Sequence, residues 1–244
     1  MDMSFTYEAY CNMVDLLHRK NYKLVGYKDS VDQKRCAILR HDVDTSLKKA
    51  VEMAEFEAQK GVKSTYFILL TTDFYNAASV NGQESIRKLC ELDHEIGLHF
   101  DETLYPELSA EELAKAIRRE ADILSHLCHC EISSVSMHRP SKRILESDFV
   151  VPGLINVYGK TYFRDYKYVS DSRRNWREPV IDIINSEKYD QLHILTHPFW
   201  YFNTEHSLHE TVEKFVNSAN GERYAFLKDN ITSLEEIMKE SEVR

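Results

Sequence analysis

Short runs of apolar, β-branched and aromatic residues alternate with helical patterns along most of this sequence. Residues 5–20 carry Tyr10, Met13, Val14 and Leu17 at helical spacing. "YKLVGY" and "RCAILR" have the composition of strands. "TSLKKAVEMAEFEAQKG" sets Leu47, Ala50, Val51, Ala54 and Ala58 on one helical face, and Gly61 follows where a helix usually stops. "VKSTYFILL" has the look of a buried strand, "ESIRKLCELD" of a helix and "HEIGLHF" of another strand. Ser109 and Glu112 form a capping-box pattern ahead of a long helix to about Leu127. "ISSVSMHR" and "LHILTHP" supply later strands, and residues 141–180 between them are less regular, with short strands near "INVYG" and "YKYVSD". The tail from about Leu208 is helical. Such alternation predicts an α/β layer architecture with parallel strands. No Gly-, Pro- or Ser-rich linker divides the 244 residues, so we expect one domain over 1–244, with a peripheral N-terminal helix and a helical C-terminal tail.

In parallel α/β barrels, functional groups gather where strands end. Four apparent strands here end in polar residues: "CAILR" in His41-Asp42-Val43-Asp44, "EIGLH" in His99-Phe100-Asp101, "SSVSM" in His138-Arg139 and "HILT" in His197-Pro198. Residues i and i+2 share a face of a strand, so Asp42 and Asp44 can point the same way. Two such carboxylates repel unless a cation lies near. A plainer role is also open: Asp44 or Thr45 as a helix N-cap, with Asp42 in a salt bridge. On "HEIGLHFD", Glu95, Gly97, His99 and Asp101 alternate with apolar Ile96, Leu98 and Phe100, and Gly97 leaves space. A lone buried histidine is more often structural than a ligand. "HLCHC" at 126–130 lacks the second ligand pair of a structural zinc site. The aromatics of "HPFWYF", Trp200 among them, suit either stacking on a sugar ring or core packing.

Other classes are excluded by composition. The net charge is −9, and "SRRNWR" is the densest basic cluster, so nucleic acid is not an expected partner. Five irregularly spaced cysteines suggest no disulfide framework. With no signal-peptide pattern and no apolar stretch of about 18 residues, a cytoplasmic location without a membrane span is expected.

With the four strand ends set out, the sequence resembles the polysaccharide deacetylases, the NodB-homology or family 4 carbohydrate esterases, from about Ile38 to Tyr201. "RHDVD" is similar to their first motif, "STYFIL" to the strand after it, and "HEIGLH" to the approach to the second. "HRPS" is similar to the third, "VSDSRRNW" to the fourth and "ILTHP" to the fifth. The resemblance implies a distorted (β/α) barrel that hydrolyses N-acyl groups on sugars. It implies Asp42 as general base, Asp44 and His99 as metal ligands, Arg139 as the residue orienting the base and His197 as general acid. Asp171 and Trp176 would support the site and, with Trp200, bind substrate. Two departures stand out. Val43 separates the aspartates, a spacing also found in deformylases of lipid-linked aminosugars. The family's second metal histidine falls at Thr103.

A catalytic zinc usually has three protein ligands. His138 ends a separate strand, and we expect it to complete an Asp44–His99–His138 set for a divalent metal, most simply Zn²⁺, ahead of Asp101 or Glu102. The expected function is metal-dependent hydrolysis of an N-acetyl or N-formyl group on a nucleotide- or lipid-linked sugar precursor of surface polysaccharide. The alternatives are an inactive carbohydrate-binding protein on the same fold and a hydrolase of non-sugar amides.

Overall fold

The computed structural model describes residues 3–243. The chain divides into two compact units, one running to Asn203 and one starting at Thr204. The first is built on β1 (Lys23–Leu24), β2 (Cys36–Val43), β3 (Thr65–Leu69), β4 (Glu95–Asp101), β5 (Ser134–His138), β6 (Ile155–Asn156), β7 (Lys167–Ser170) and β8 (Gln191–Thr196). Their order in space is β6-β5-β4-β3-β2-β8-β7, with every neighbouring pair parallel. At eight residues, β2 is long enough for two partners on one side. β1 pairs with Cys36 and Ala37, and β3 pairs with Arg40–Val43.

The sheet is curled into a half-barrel with helices around it. Arg40, on the interior strand β2, lies 4.8 Å from the Tyr158 ring just past β6 and 6.0 Å from the Tyr168 ring on β7. Tyr158 and Tyr168 are themselves 6.4 Å apart, although β6 and β7 are the two ends of the strand order. Opposite edges of a flat sheet could not meet in this way. Phe163 joins them at 5.3 and 5.0 Å, so aromatic rings span the gap between the edges. This is the distorted (β/α) barrel expected from the motifs. Gly97 is needed inside it: a Cβ there would fall 2.4 Å from Phe67 and 2.9 Å from Ser134 Oγ.

Around the sheet run α1 (Tyr7–Arg19), α2 (Leu47–Gln59), α3 (Val80–Glu91), α4 (Ala110–Cys128), α5 (Lys142–Glu146) and α6 (Val180–Ser186). α1 buries Tyr10, Met13, Val14 and Leu17, as its periodicity predicts. α4 carries the Ser109/Glu112 capping box. Gly61 closes the turn after α2 with φ +65°. The buried face of α2 differs from the expected one: it consists of Leu47, Ala50, Met53, Ala54 and Glu57, with Val51 and Ala58 only half-buried. The helix is turned to bring in the Glu57 carboxylate, which pays off in hydrogen bonds. Tyr66 and Ser64 hydroxyls donate to its Oε2 at 2.8 and 2.6 Å. Tyr10 donates to Oε1, and His41 Nε2 lies 3.0 Å from the same oxygen. On its other side, His41 Nδ1 is 2.6 Å from Thr196 Oγ1, clamping β2 to β8 directly beneath the strand ends.

Burial opposes the charge on Glu57, but the neighbouring histidines and hydroxyl donors outweigh it and pull its pKa from 4.5 down to about 2. A depressed carboxylate stabilises the fold fully above the unfolded value, and this contribution is lost as pH falls toward the folded one. Unfolding free energy should therefore drop by roughly 3 kcal/mol between pH 4.5 and 2 through this one group. Glu57→Gln should flatten that segment in denaturant titrations run across this range. An unchanged slope would show that other carboxylates set the acid limit.

The second unit holds α7 (Leu208–Asn230) and α8 (Leu234–Ile237). Ser207 and Glu210 cap α7 reciprocally, and the Tyr224 hydroxyl ties it to the Met238 carbonyl at 2.7 Å. Among the described residues, no helix is long and apolar enough to cross a membrane.

Candidate metal centre

The inner face of β2 presents Arg40 and Asp42, and Asp44 follows where the strand has ended. Asp44 does not cap α2; the Ser46 side chain does, accepting from Lys49 N. The Asp44 carboxylate is thereby left for the barrel mouth. Its Oδ1 is 3.0 Å from His99 Nε2 and 3.5 Å from His138 Nδ1, and the two imidazole nitrogens are 3.2 Å apart. Three potential ligand atoms thus converge from β2, β4 and β5.

The donor set suits a divalent metal. Tetrahedral zinc with bonds near 2.0–2.2 Å has ligand–ligand edges of about 3.3 Å, close to the three separations found here. Asp44 Oδ1 is buried without a well-aligned hydrogen-bond donor. His99 Nδ1 lies 3.1 Å from the Ser136 carbonyl, which can accept only an N–H. That bond fixes the tautomer and turns the Nε2 lone pair toward Asp44. Burial raises the Asp44 pKa, but the adjacent His138 and His99 hold it well below the usual carboxylate range. Burial lowers the His99 pKa, and the Asp42 and Asp44 carboxylates more than reverse this. The other candidates for the third position are engaged elsewhere. Asp101 Oδ1 accepts from Thr103 N and Oγ1 at 3.0 and 2.6 Å, and Glu102 accepts from Ser141.

Asp42 is buried beside this centre, its Oδ2 being 3.8 Å from His99 Nε2. The expected role of Arg139 needs correction. Arg139 is exposed, and the chain turns there in a left-handed conformation, φ 53°. The guanidinium on Asp42 is that of Arg40, whose Nη2 donates to Asp42 Oδ2 at 2.9 Å and also contacts Ser136 Oγ and the Tyr158 hydroxyl. Arg40 stands two residues before Asp42 on the same strand and so shares its face. Desolvation works against ionisation of Asp42, but Arg40 leads the charges that keep its pKa below normal.

His197 follows β8. Its Nδ1 donates to Asp171 Oδ1 at 2.6 Å, and its backbone N–H donates to Oδ2 at 3.1 Å. The Tyr201 hydroxyl donates to that same Oδ2 at 3.0 Å. Its Nε2 points toward the metal candidates, 3.8 Å from Asp44 Oδ2. Burial disfavours the imidazolium, but the Asp171 charge and hydrogen bond prevail and lift the pKa to about 9. Asp171 has no exposed surface; its carboxylate is bonded to His197 and Tyr201 and is not open to a sugar. Trp176 is 6% exposed and packs into the core, leaving no ring face for a sugar. Trp200 is half-buried, 4.8 Å from Phe199.

No protein-family model matches the sequence, and no curated protein is similar to it at a significant level. Solved structures are. A CE4 family pseudoenzyme from Bacillus anthracis aligns over 77% of this chain and 62% of its own at 12% identity, with a TM-score of 0.44. This chain therefore spans less than two thirds of that protein. A family 4 carbohydrate esterase from Streptomyces lividans, in complex with acetate, aligns over 68% and 80% at 16% identity, TM-score 0.47. A chitin deacetylase from the fungus Colletotrichum lindemuthianum aligns over 77% and 83% at 14% identity, TM-score 0.47. In fold, this chain is similar to the family 4 carbohydrate esterases and deacetylases.

Proposed function

We propose that this protein hydrolyses an amide, N-acetyl or N-formyl, on a sugar, and that it does so with a divalent metal, most simply Zn²⁺. One observation carries the reading: a buried carboxylate and an Asp-backed imidazole each lie 3.8 Å from a three-donor Asp-His-His cradle. Asp44, His99 and His138 would hold the ion, which when bound polarises the acyl carbonyl and acidifies a water. Asp42, kept ionised by Arg40, takes the proton of the attacking water. His197 enters the reaction protonated and gives its Nε2 proton to the nitrogen as the C–N bond breaks, so the amine leaves neutral. Asp171 keeps His197 oriented and charged through that step.

We place the substrate among nucleotide- or lipid-linked sugar precursors of surface polysaccharide, in the cytoplasm. The five free cysteines suit a reducing compartment. Arg139, Arg173 and Arg177, exposed in the loops after β5 and β7, suit an anionic substrate. Thr103 at the family's usual ligand position favours a second reading, an inactive carbohydrate-binding protein. Metal analysis together with turnover of N-acylated sugars separates the two.

The test of the base is Asp42→Asn. Turnover should fall by about 10²–10⁴, with the far-UV circular dichroism spectrum unchanged. Turnover close to that of the unmodified protein would remove Asp42 from the mechanism.

A further inference from the structure

The second unit carries an apolar surface that its own fold leaves open. Of the 23 residues of α7, only Thr211 and Tyr224 are buried, and α8 adds Leu234. More than half of the large apolar side chains exposed among the described residues lie in this unit. Their spacing on α7 is regular. Leu208, Val212 and Val216 follow one another at four residues, and Leu227 and the C-cap residue Ile231 repeat that step after a gap. At about 3.6 residues per turn, these five positions span about 140° of the helix, with Phe226 on one edge. All six are 36–59% exposed. Arg223 sits inside the stripe and Glu213 on its border.

We propose that this stripe is the interface of a homodimer, in which two copies of α7 pack antiparallel about a two-fold axis passing between Ala219 and Asn220. The spacing selects a second copy of this chain as the partner. An isologous contact must be self-complementary, residue i meeting j while j meets i. The series Leu208, Val212, Val216, Arg223, Leu227, Ile231 has steps of four, four, seven, four and four, the same read from either end. Antiparallel pairing therefore sets Leu208 against the partner's Ile231, Val212 against the partner's Leu227, and Val216 against the aliphatic stem of the partner's Arg223.

Charge and area agree with this pairing. Arg223 has no ion-pair partner among the described residues, and Glu213 has only His209, at 3.8 Å. Glu213 lies one helical turn from Val216 and so falls beside the partner's Arg223. Covering the stripe together with Ile237 and Met238, which the Tyr224 bond holds beside α7, would remove on the order of 800 Å² per chain, the size of a standard stable interface. A membrane surface suits the stripe less. Helices that lie on membranes are rich in Lys and Arg on their polar face, whereas α7 sets Glu210, Glu213, Glu222 and Asp229 against Lys214, Arg223 and Lys228.

The experiment is sedimentation velocity of the full chain over a concentration series. We expect a species of twice the chain's mass that dissociates on dilution. Val216→Glu buries two carboxylates close to the two-fold axis and should weaken the dimer by about 100-fold or more, with an unchanged circular dichroism spectrum. Arg223→Glu should weaken it less, and adding Glu213→Arg in the same chain should restore it, a rescue that a misfolded helix would not show. Ile123→Glu, on the exposed face of α4, is the control and should leave the dimer intact. A monomer at every concentration, with or without binding to vesicles of phosphatidylcholine and phosphatidylserine, would overturn the proposal, as would a dimer that Val216→Glu leaves unchanged.

Discussion

His138→Ala is expected to fold normally and to lose its metal. The side chain is at the mouth, 15% exposed, and it supports no core contact comparable to those of the barrel interior. Its Nδ1 nevertheless closes the triangle with Asp44 Oδ1 and His99 Nε2. With His138 removed, two protein donors remain, and Thr103 cannot replace it, because its hydroxyl is already given to Asp101. Changing a mere hydrogen-bond partner of a metal ligand costs 10–100-fold in affinity in other proteins, so losing a ligand here should cost more than about 100-fold. The measurement is metal content per chain after dialysis against a weak chelator, with circular dichroism as the folding control. His99→Ala should lose metal too, with some loss of stability because His99 is buried and bonded to Ser136. Asp101→Asn should retain it. Full metal content in His138→Ala, with loss only in His99→Ala, would place the third ligand elsewhere.

The site was partly legible because its signals are local. Two-residue periodicity on "RHDVD" and "HEIGLHFD" puts Asp42, Asp44 and His99 on faces that can meet, and parallel strands bring their C-terminal ends together. The same periodicity marks Arg40 as the neighbour of Asp42, whereas the Arg-Pro pair at 139–140, the motif that points to Arg139, lies at the end of a different strand. Motif order says which residues lie near a site but not which of two arginines reaches a carboxylate, and the left-handed turn at Arg139 is invisible in composition. Glu57 could not be found from sequence. Its partners Tyr10, Ser64, Tyr66 and His41 come from α1, the loop before β3, β3 itself and β2, so only the packed fold shows why a helix buries a carboxylate. The edge seal of Tyr158, Phe163 and Tyr168 was lost in the irregular stretch of 141–180 for the same reason: no short period encodes contact between the two ends of a sheet.

The second large effect falls on His197. His197→Ala removes an imidazolium that stands protonated at neutral pH with its Nε2 facing the metal candidates, and should slow amide cleavage by about 10²–10⁴. Esters provide the contrast. An alkoxide departs without a full proton transfer more readily than an amide anion, so an O-acetyl substrate should suffer much less from the same change. Asp171→Asn probes the same step without deleting the acid. The Asp171 charge and hydrogen bond are what raise the His197 pKa to about 9, against a burial that lowers it. A raised histidine is protonated below its folded pKa and loses the proton as pH rises through it. The alkaline limb of kcat/KM should therefore lie at or below pH 9, since a cation bound at Asp44, 3.8 Å from Nε2, can only pull it down. In Asp171→Asn that limb should move further toward acid, and activity at neutral pH should fall with it. A His197→Ala protein that loses amide and ester hydrolysis equally, joined to an Asp171→Asn profile with an unmoved alkaline limb, would make His197 a structural residue beside the turn at Pro198 and leave the leaving-group proton to come from water.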